Sequence, residues 1–190
     1  MRIAIYGGTF DPIHHGHLIL ARDAIEQIGV DRVVFVPAAI SPHKLQRLPS
    51  PSKVRVAMVA AAIAGEALFL MDEMEVKREG PSYAVETVEA IRAANPEAEL
   101  LYLVGEDNIP ALDTWHRIGD LRGYVEFVVF GRGLHRAEHR YRTLERRLDI
   151  SATEIRERVA RGASIRYLVP EPVRALIEQH RLYQPSPAAS

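Results

Sequence analysis

The stretch Gly7 to Leu18, GGTFDPIHHGHL, sets two adjacent glycines ahead of His14, His15 and His17. Such residues suit a phosphate. Gly7 and Gly8 let the backbone come close to an anion. Gly16 falls where the loop would turn into a helix, whose first N–H groups and dipole favour negative charge. His14 and His17 flank that turn, and two imidazoles there can donate to phosphate oxygens and stabilise charge that grows in a transition state. The spacing is neither the dinucleotide G-x-G-x-x-G nor the G-x-x-x-x-G-K-[ST] phosphate loop. Three histidines could also ligate a metal, but imidazoles beside a helix start fit an anion more simply. A polar turn with incidental histidines is the bland alternative.

The flanking elements must position these groups. Arg2 to Tyr6 is a β-branched run ended by Gly7-Gly8 and reads as a buried strand. Leu18, Ala21, Ile25 and Ile28 recur at helical spacing from His17 onward, and Gly29 stops that helix. RVVFVPA follows as a second strand, giving a βαβ unit with parallel pairing. Ala39 to Ser50 is a polar, proline-punctuated loop, and a helix opens at Pro51 with Ser50 as cap. ALFLMDEMEV holds a third strand, and Ser82 can cap a helix ended by Asn95-Pro96. ELLYLVG and EFVVFGR are the fourth and fifth strands. Together these predict an α/β, doubly wound, Rossmann-like parallel sheet, whose ligands lie at the carboxyl ends of the strands.

After that the pattern changes. LDI (148–150) reads as a brief strand, and SATE (151–154) as a capping box opening a helix that Gly162 ends. A last helix runs from near Pro172 to about His180. A single domain over 1–184 is expected, with a small helical C-terminal portion from about 151 and a disordered tail at 185–190. The basic run LHRAEHRYRTLERR (134–147) reads mainly as a solvated arm or helix.

Composition narrows the function classes. The formal net charge is −1, so no global field draws the chain to nucleic acid or membranes. The absence of cysteine excludes disulfides and cysteine-ligated zinc and fits a reducing cytoplasm. The N-terminal apolar run is too short for a signal peptide, and no segment is long enough to span a bilayer. A cytoplasmic location is therefore expected. Lysines occur only at 44, 53 and 77, which singles out Lys44 in the loop after the second strand.

GGTFDPIHHGHL resembles the signature of the HxGH nucleotidyltransferase superfamily, with His14, Gly16 and His17 on the H-x-G-H itself. ISATEIR (150–156) resembles that superfamily's second signature, I-S-S-T-x-I-R. SPHK, GPSYAVET, GEDNIPALDTW and YLVPEPVRALIEQHRLY are similar to bacterial nicotinate-nucleotide adenylyltransferases, in the same order along nearly the whole chain.

The resemblance implies transfer of AMP from ATP to nicotinate mononucleotide, giving deamido-NAD and pyrophosphate in NAD biosynthesis. The mononucleotide phosphate would attack the α-phosphorus directly, without a covalent enzyme intermediate, and Mg²⁺ would arrive with ATP, since the sequence offers no dedicated metal cage. Carried over by position, His14, His17, Lys44 and Arg156 would be catalytic. Gly7, Gly8, Thr9, Phe10, Gly16, Gly105, Asp107, Ser151 and Thr153 would bind ATP. His43, Tyr83, Ala84 and Trp115 would bind the mononucleotide. Nucleic acid and membrane are not expected partners, and a homo-oligomer is left open. Three positions depart from the family pattern: Ala84 replaces Thr, Ala152 replaces Ser, and Gly131-Arg132-Gly133 lacks the usual proline.

Overall fold

The computed structural model describes residues 1–39, 48–78, 80–131, 139–146 and 148–185. His43, Lys44, Arg132 and positions 186–190 of the expected tail lie outside the described residues.

Six strands form one sheet in the order β3-β2-β1-β4-β5-β6. They are β1 (Arg2–Gly8), β2 (Arg32–Pro37), β3 (Phe69–Met71), β4 (Glu99–Gly105), β5 (Glu126–Gly131) and β6 (Arg142–Glu145). Every pairing is parallel. The doubly wound expectation is borne out. Strand order grows outward in both directions from β1 and β4, which places the topological switch point between them.

Side-chain alternation along the strands divides the core in two. Ala4, Tyr6, Leu101, Leu103, Val128 and Phe130 face one side. There they meet α1 (His15–Asp23), α2 (Ser52–Ile63), α6 (Ala152–Ala160) and α7 (Glu171–Gln179) through residues such as Leu20, Met58, Ile155 and Ile177. Ile3, Ile5, Leu100, Tyr102, Val104, Phe127 and Val129 face the other side. That face is covered by α4 (Ala84–Ala94) and α5 (Ile118–Tyr124) through Val85, Val88, Ile91 and Leu121. Each fully buried aliphatic side chain contributes about 1.5–3 kcal/mol, so the sheet is a rigid base for the loops at its carboxyl edge.

Several local expectations are corrected. Residues 148–150 form no strand; the sixth strand is Arg142–Glu145, inside the segment read as a basic arm. Only Leu144 of that strand is buried. An edge strand needs little more than one inward residue, so its charged neighbours hid it. The first helix starts at His15 and winds into a π turn over Ala24–Ile28 before Gly29 (φ +76°) closes it. Ser50 and Ser82 do not cap their helices: Pro51 and Tyr83 hold those positions, and neither makes a side-chain cap bond. The Ser82 hydroxyl instead accepts the Ala39 N–H at 3.0 Å. At α6, Ser151 caps by accepting the Glu154 N–H at 3.1 Å, while the Glu154 carboxylate lies toward Arg158. A further short helix, α3 (Met74–Lys77), follows β3.

Candidate active site

A cleft of about 710 Å³ opens at the carboxyl ends of β1 and β4. One end is walled by Gly7, Gly8, Thr9 and Phe10, by His14 and His17, and by Ser151, Thr153 and Arg156. Its other end carries Glu75, Ser82, Tyr83, Ala84, Trp115 and His116. Gly105 and Asp107 lie between, just past β4.

The glycines are dictated by neighbours. A Cβ on Gly7 would sit 2.5 Å from the Tyr102 hydroxyl, and one on Gly8 would lie 3.0 Å from the Phe10 ring. A Cβ on Gly105 would run into the Asp107 carboxylate. Gly16 does not line the cleft: it lies under the His14 ring, where a Cβ would meet Nδ1 at 2.9 Å. Phe10 supplies the strained turn, with φ +48° and a buried ring. A left-handed conformation costs a side-chain-bearing residue about 1–2 kcal/mol, which the packing of that ring must offset.

His14 precedes α1 in extended conformation and is buried. Its ring stacks on His17 with centroids 3.7 Å apart. His17 is also bracketed edge-on by Phe10 and Tyr6. The Nδ1 of His17 accepts the His14 backbone N–H at 3.2 Å. In the neutral ring the proton is therefore on Nε2. The first turn of α1 holds no acidic residue that would oppose a phosphate. The loop is braced from the C-terminal part, because the His15 N–H donates to the Leu168 carbonyl at 3.0 Å.

Arg156 reaches the same loop from α6. Its Nη1 donates to the Asp11 carbonyl at 2.9 Å and its Nη2 to Thr153 Oγ1 at 3.1 Å. Asp11 is itself tied down: Oδ1 accepts the Tyr183 hydroxyl at 2.6 Å and Oδ2 accepts the Ser50 N–H at 3.1 Å. Burial and the adjacent Asp11 carboxylate push the Tyr183 phenol well above its ordinary range, so it stays protonated and donates to Asp11.

At the other end, Trp115 is half-buried and meets Tyr102 edge-on with centroids 5.8 Å apart. It ends a 3₁₀ segment, Glu106–Thr114, that leads from β4 across the cleft. Tyr83 packs against His116 at 4.4 Å. Tyr83 and Ala84 open α4, whose first N–H groups have no carbonyl one turn back. Behind them lies Glu75, buried, with Oε1 accepting the Thr87 hydroxyl at 2.6 Å. Burial raises the Glu75 carboxyl above its usual value, and bonds from Thr87 and Ser82 oppose that rise.

A cytidylyltransferase-like family model matches residues 5–158. A protein of Exiguobacterium sibiricum, named a probable nicotinate-nucleotide adenylyltransferase, is 42% identical over 192 residues, 96% of this chain and 99% of that one. One of Bacillus pumilus with the same name is 38% identical over 186 residues, 96% of this chain and 98% of its own. The chain belongs to the nicotinate-nucleotide adenylyltransferase family. The nicotinic acid mononucleotide adenylyltransferase of Plasmodium falciparum, solved with NaAD, shares the fold. Its TM-score is 0.80 at 18% identity, covering 96% of this chain and 97% of that one.

Of the candidate residues, the cleft gathers both histidines, Arg156, both loop glycines, Gly105, Asp107, Tyr83, Ala84 and Trp115. His43 and Lys44 are outside the described residues. Sequence reasoning missed Asp11, Arg55, Glu75 and Tyr183. Arg55 carried a signal: it shares a helical face with the buried Met58 and Val59, where an unpaired charge would be costly. Its guanidinium is pulled below its ordinary value by burial and pushed back by Asp11. Tyr183 carried none, because nothing in its neighbourhood of the chain points to residue 11.

Proposed function

We propose that this chain transfers AMP from ATP to nicotinate mononucleotide, forming deamido-NAD and pyrophosphate. The observation that carries the reading is one continuous cleft with a donor-rich anion end and an aromatic-walled end on either side of the switch point. The names of the family's members agree with it.

In this reading a 5′-phosphate oxygen of the mononucleotide attacks the α-phosphorus of ATP. The new O–P bond forms as the bond to the bridging oxygen of pyrophosphate breaks. No side chain need become covalently attached; the chain positions the two phosphates and stabilises charge. The Nε2–H of His17, with His14 stacked on it, faces that developing charge from the start of α1. Arg156, Ser151 and Thr153 hold the departing pyrophosphate. Asp107 accepts from ATP ribose hydroxyls beside Gly105. Lys44 and His43 act on the reacting phosphates and the mononucleotide. Trp115 stacks on the pyridine ring, and the N–H groups at the start of α4 take the ring carboxylate.

Among the described residues no cluster of three or more histidine or acidic side chains could hold a metal, and both carboxylate oxygens of Asp11 are already engaged. Mg²⁺ would be held chiefly by the ATP phosphates, where it would neutralise charge on the leaving group. No helix among the described residues is long and apolar enough to cross a membrane. We place the reaction in the cytoplasm, with which a cysteine-free composition is compatible.

The test is turnover of ATP with nicotinate mononucleotide, with 4′-phosphopantetheine and other nucleotides offered in parallel. Mass identification of deamido-NAD with equimolar pyrophosphate is the expected result. Turnover of 4′-phosphopantetheine alone, or of none of them, would overturn it.

A further inference from the structure

Arg55 is buried in α2 behind the cleft wall, and among the described residues its hydrogen bonds all go to backbone carbonyls. Nη1 donates to Thr9 at 2.7 Å and to Ala38 at 2.8 Å. Nε donates to Ser50 at 2.9 Å, and Nη2 to Ala39 at 3.3 Å. These acceptors belong to the loop after β1 and to both described flanks of segment 40–47. Ser50 is gripped twice, since its N–H goes to Asp11 Oδ2.

One consequence concerns polarity. The peptide joining Thr9 to Phe10 is trans, so its carbonyl and its N–H point in opposite directions. Arg55 holds the carbonyl toward the interior. The Phe10 N–H is thereby turned toward the cleft that Thr9 and Phe10 line. The reverse orientation would set a carbonyl oxygen against a phosphate. Phe10 has a left-handed backbone, so this peptide needs an external hold.

We propose that Arg55 is a positioning residue for the transfer, fixing the Thr9–Phe10 peptide with its N–H toward the substrate phosphates by tying it to Ala38, Ala39 and Ser50. Lysine cannot take its place, because a single ammonium lacks the fork that reaches four carbonyls. The proposal rests on the adenylyl-transfer reading for its kinetics, but its loop geometry can be tested without turnover.

The experiment compares the wild type with Arg55→Lys. Thermal melting reports the fold, peptide-level hydrogen exchange reports the loop, tripolyphosphate binding reports the anion site, and steady-state kinetics report the reaction. The folded variant is expected to exchange faster across residues 6–13 and 36–39. It should bind tripolyphosphate more weakly and lose kcat by about 10²-fold, with KM for the mononucleotide little changed. A second measurement does not depend on that variant folding: replacing the residue at Phe10 by its α-hydroxy analogue turns the N–H into an ester oxygen. About a tenfold loss in tripolyphosphate affinity is expected there. Unchanged affinity in the ester protein, or an Arg55→Lys enzyme with a lower melting temperature but normal exchange and kcat, overturns the proposal. A wild type that binds tripolyphosphate yet makes no deamido-NAD would sink the function and leave the loop result standing.

Discussion

The two ends of the cleft are built by different means. The phosphate end comes mostly from one contiguous loop and helix start, Gly7 to His17, closed by the start of α6. Its side chains are held tightly: His14 is buried, and His17 has its Nδ1 bonded and its ring bracketed. The ring end is gathered from three separate segments, around Glu75, Tyr83 and Trp115, and its aromatic rings are half-buried. Chemistry that must stabilise charge in the transition state needs a fixed array of donors. Recognition of a flat ring needs contact area and one correctly chosen hydrogen-bonding group, which less rigid elements can supply.

If this division is right, mutations at the two ends should fail differently. The largest effect is expected for His17→Ala, which removes a preorganised donor. Its kcat should fall by about 10²–10³-fold with a modest change in KM. Near-normal kcat in a folded His17→Ala enzyme would break the comparison at its stronger side. Arg156→Ala comes next. It should weaken ATP and pyrophosphate by about tenfold or more and leave the mononucleotide largely alone. Calorimetric titration with each ligand decides this, and equal weakening of all three would mean that Arg156 serves only to brace the Asp11 loop.

The ring end should give smaller, evenly spread losses. Trp115→Ala is expected to lower kcat/KM by about three- to tenfold on both the acid and the amide mononucleotide. The acid-over-amide ratio should stay nearly constant, because stacking does not read the ring substituent. A fully active, folded Trp115→Ala enzyme would remove the ring pocket from the account.

The smallest effect concerns stability at Glu75. Burial raises its carboxyl above the ordinary 4.5, so above that pH the folded state retains a proton that the unfolded chain releases. Wild-type stability then declines as pH rises from 4.5 toward the folded-state value. Glu75→Gln keeps an acceptor for Thr87 and removes the titration. Its melting temperature relative to wild type should therefore climb as pH rises above 4.5. A difference that stays flat as pH rises above 4.5 would contradict the raised carboxyl.

The same contrast explains what could be read from the sequence. Five of the six strands were visible as apolar runs, since a parallel sheet covered on both faces demands them. The edge strand Arg142–Glu145 was not, because only Leu144 turns inward. At the phosphate end, glycine, histidine and helix start were neighbours in the chain, and elementary electrostatics assigned them together. The ring end was assembled by tertiary packing, so Tyr83, Ala84 and Trp115 entered only through family resemblance. Glu75 and His116 were missed. Side chains that work from behind the wall were the hardest to see. Tyr183 meets Asp11 across 172 residues, a separation that no local pattern spans.

The most direct test is a competition in one vessel between nicotinate mononucleotide and its amide, at equal concentration with ATP and wild-type protein. If the N–H groups at the start of α4 take the ring substituent, as proposed, they satisfy a carboxylate and leave an amide N–H₂ unpaired, a penalty of about 1–3 kcal/mol. Deamido-NAD is therefore expected to exceed NAD by about tenfold or more in the initial products. Equal amounts, or an excess of NAD, would contradict the account.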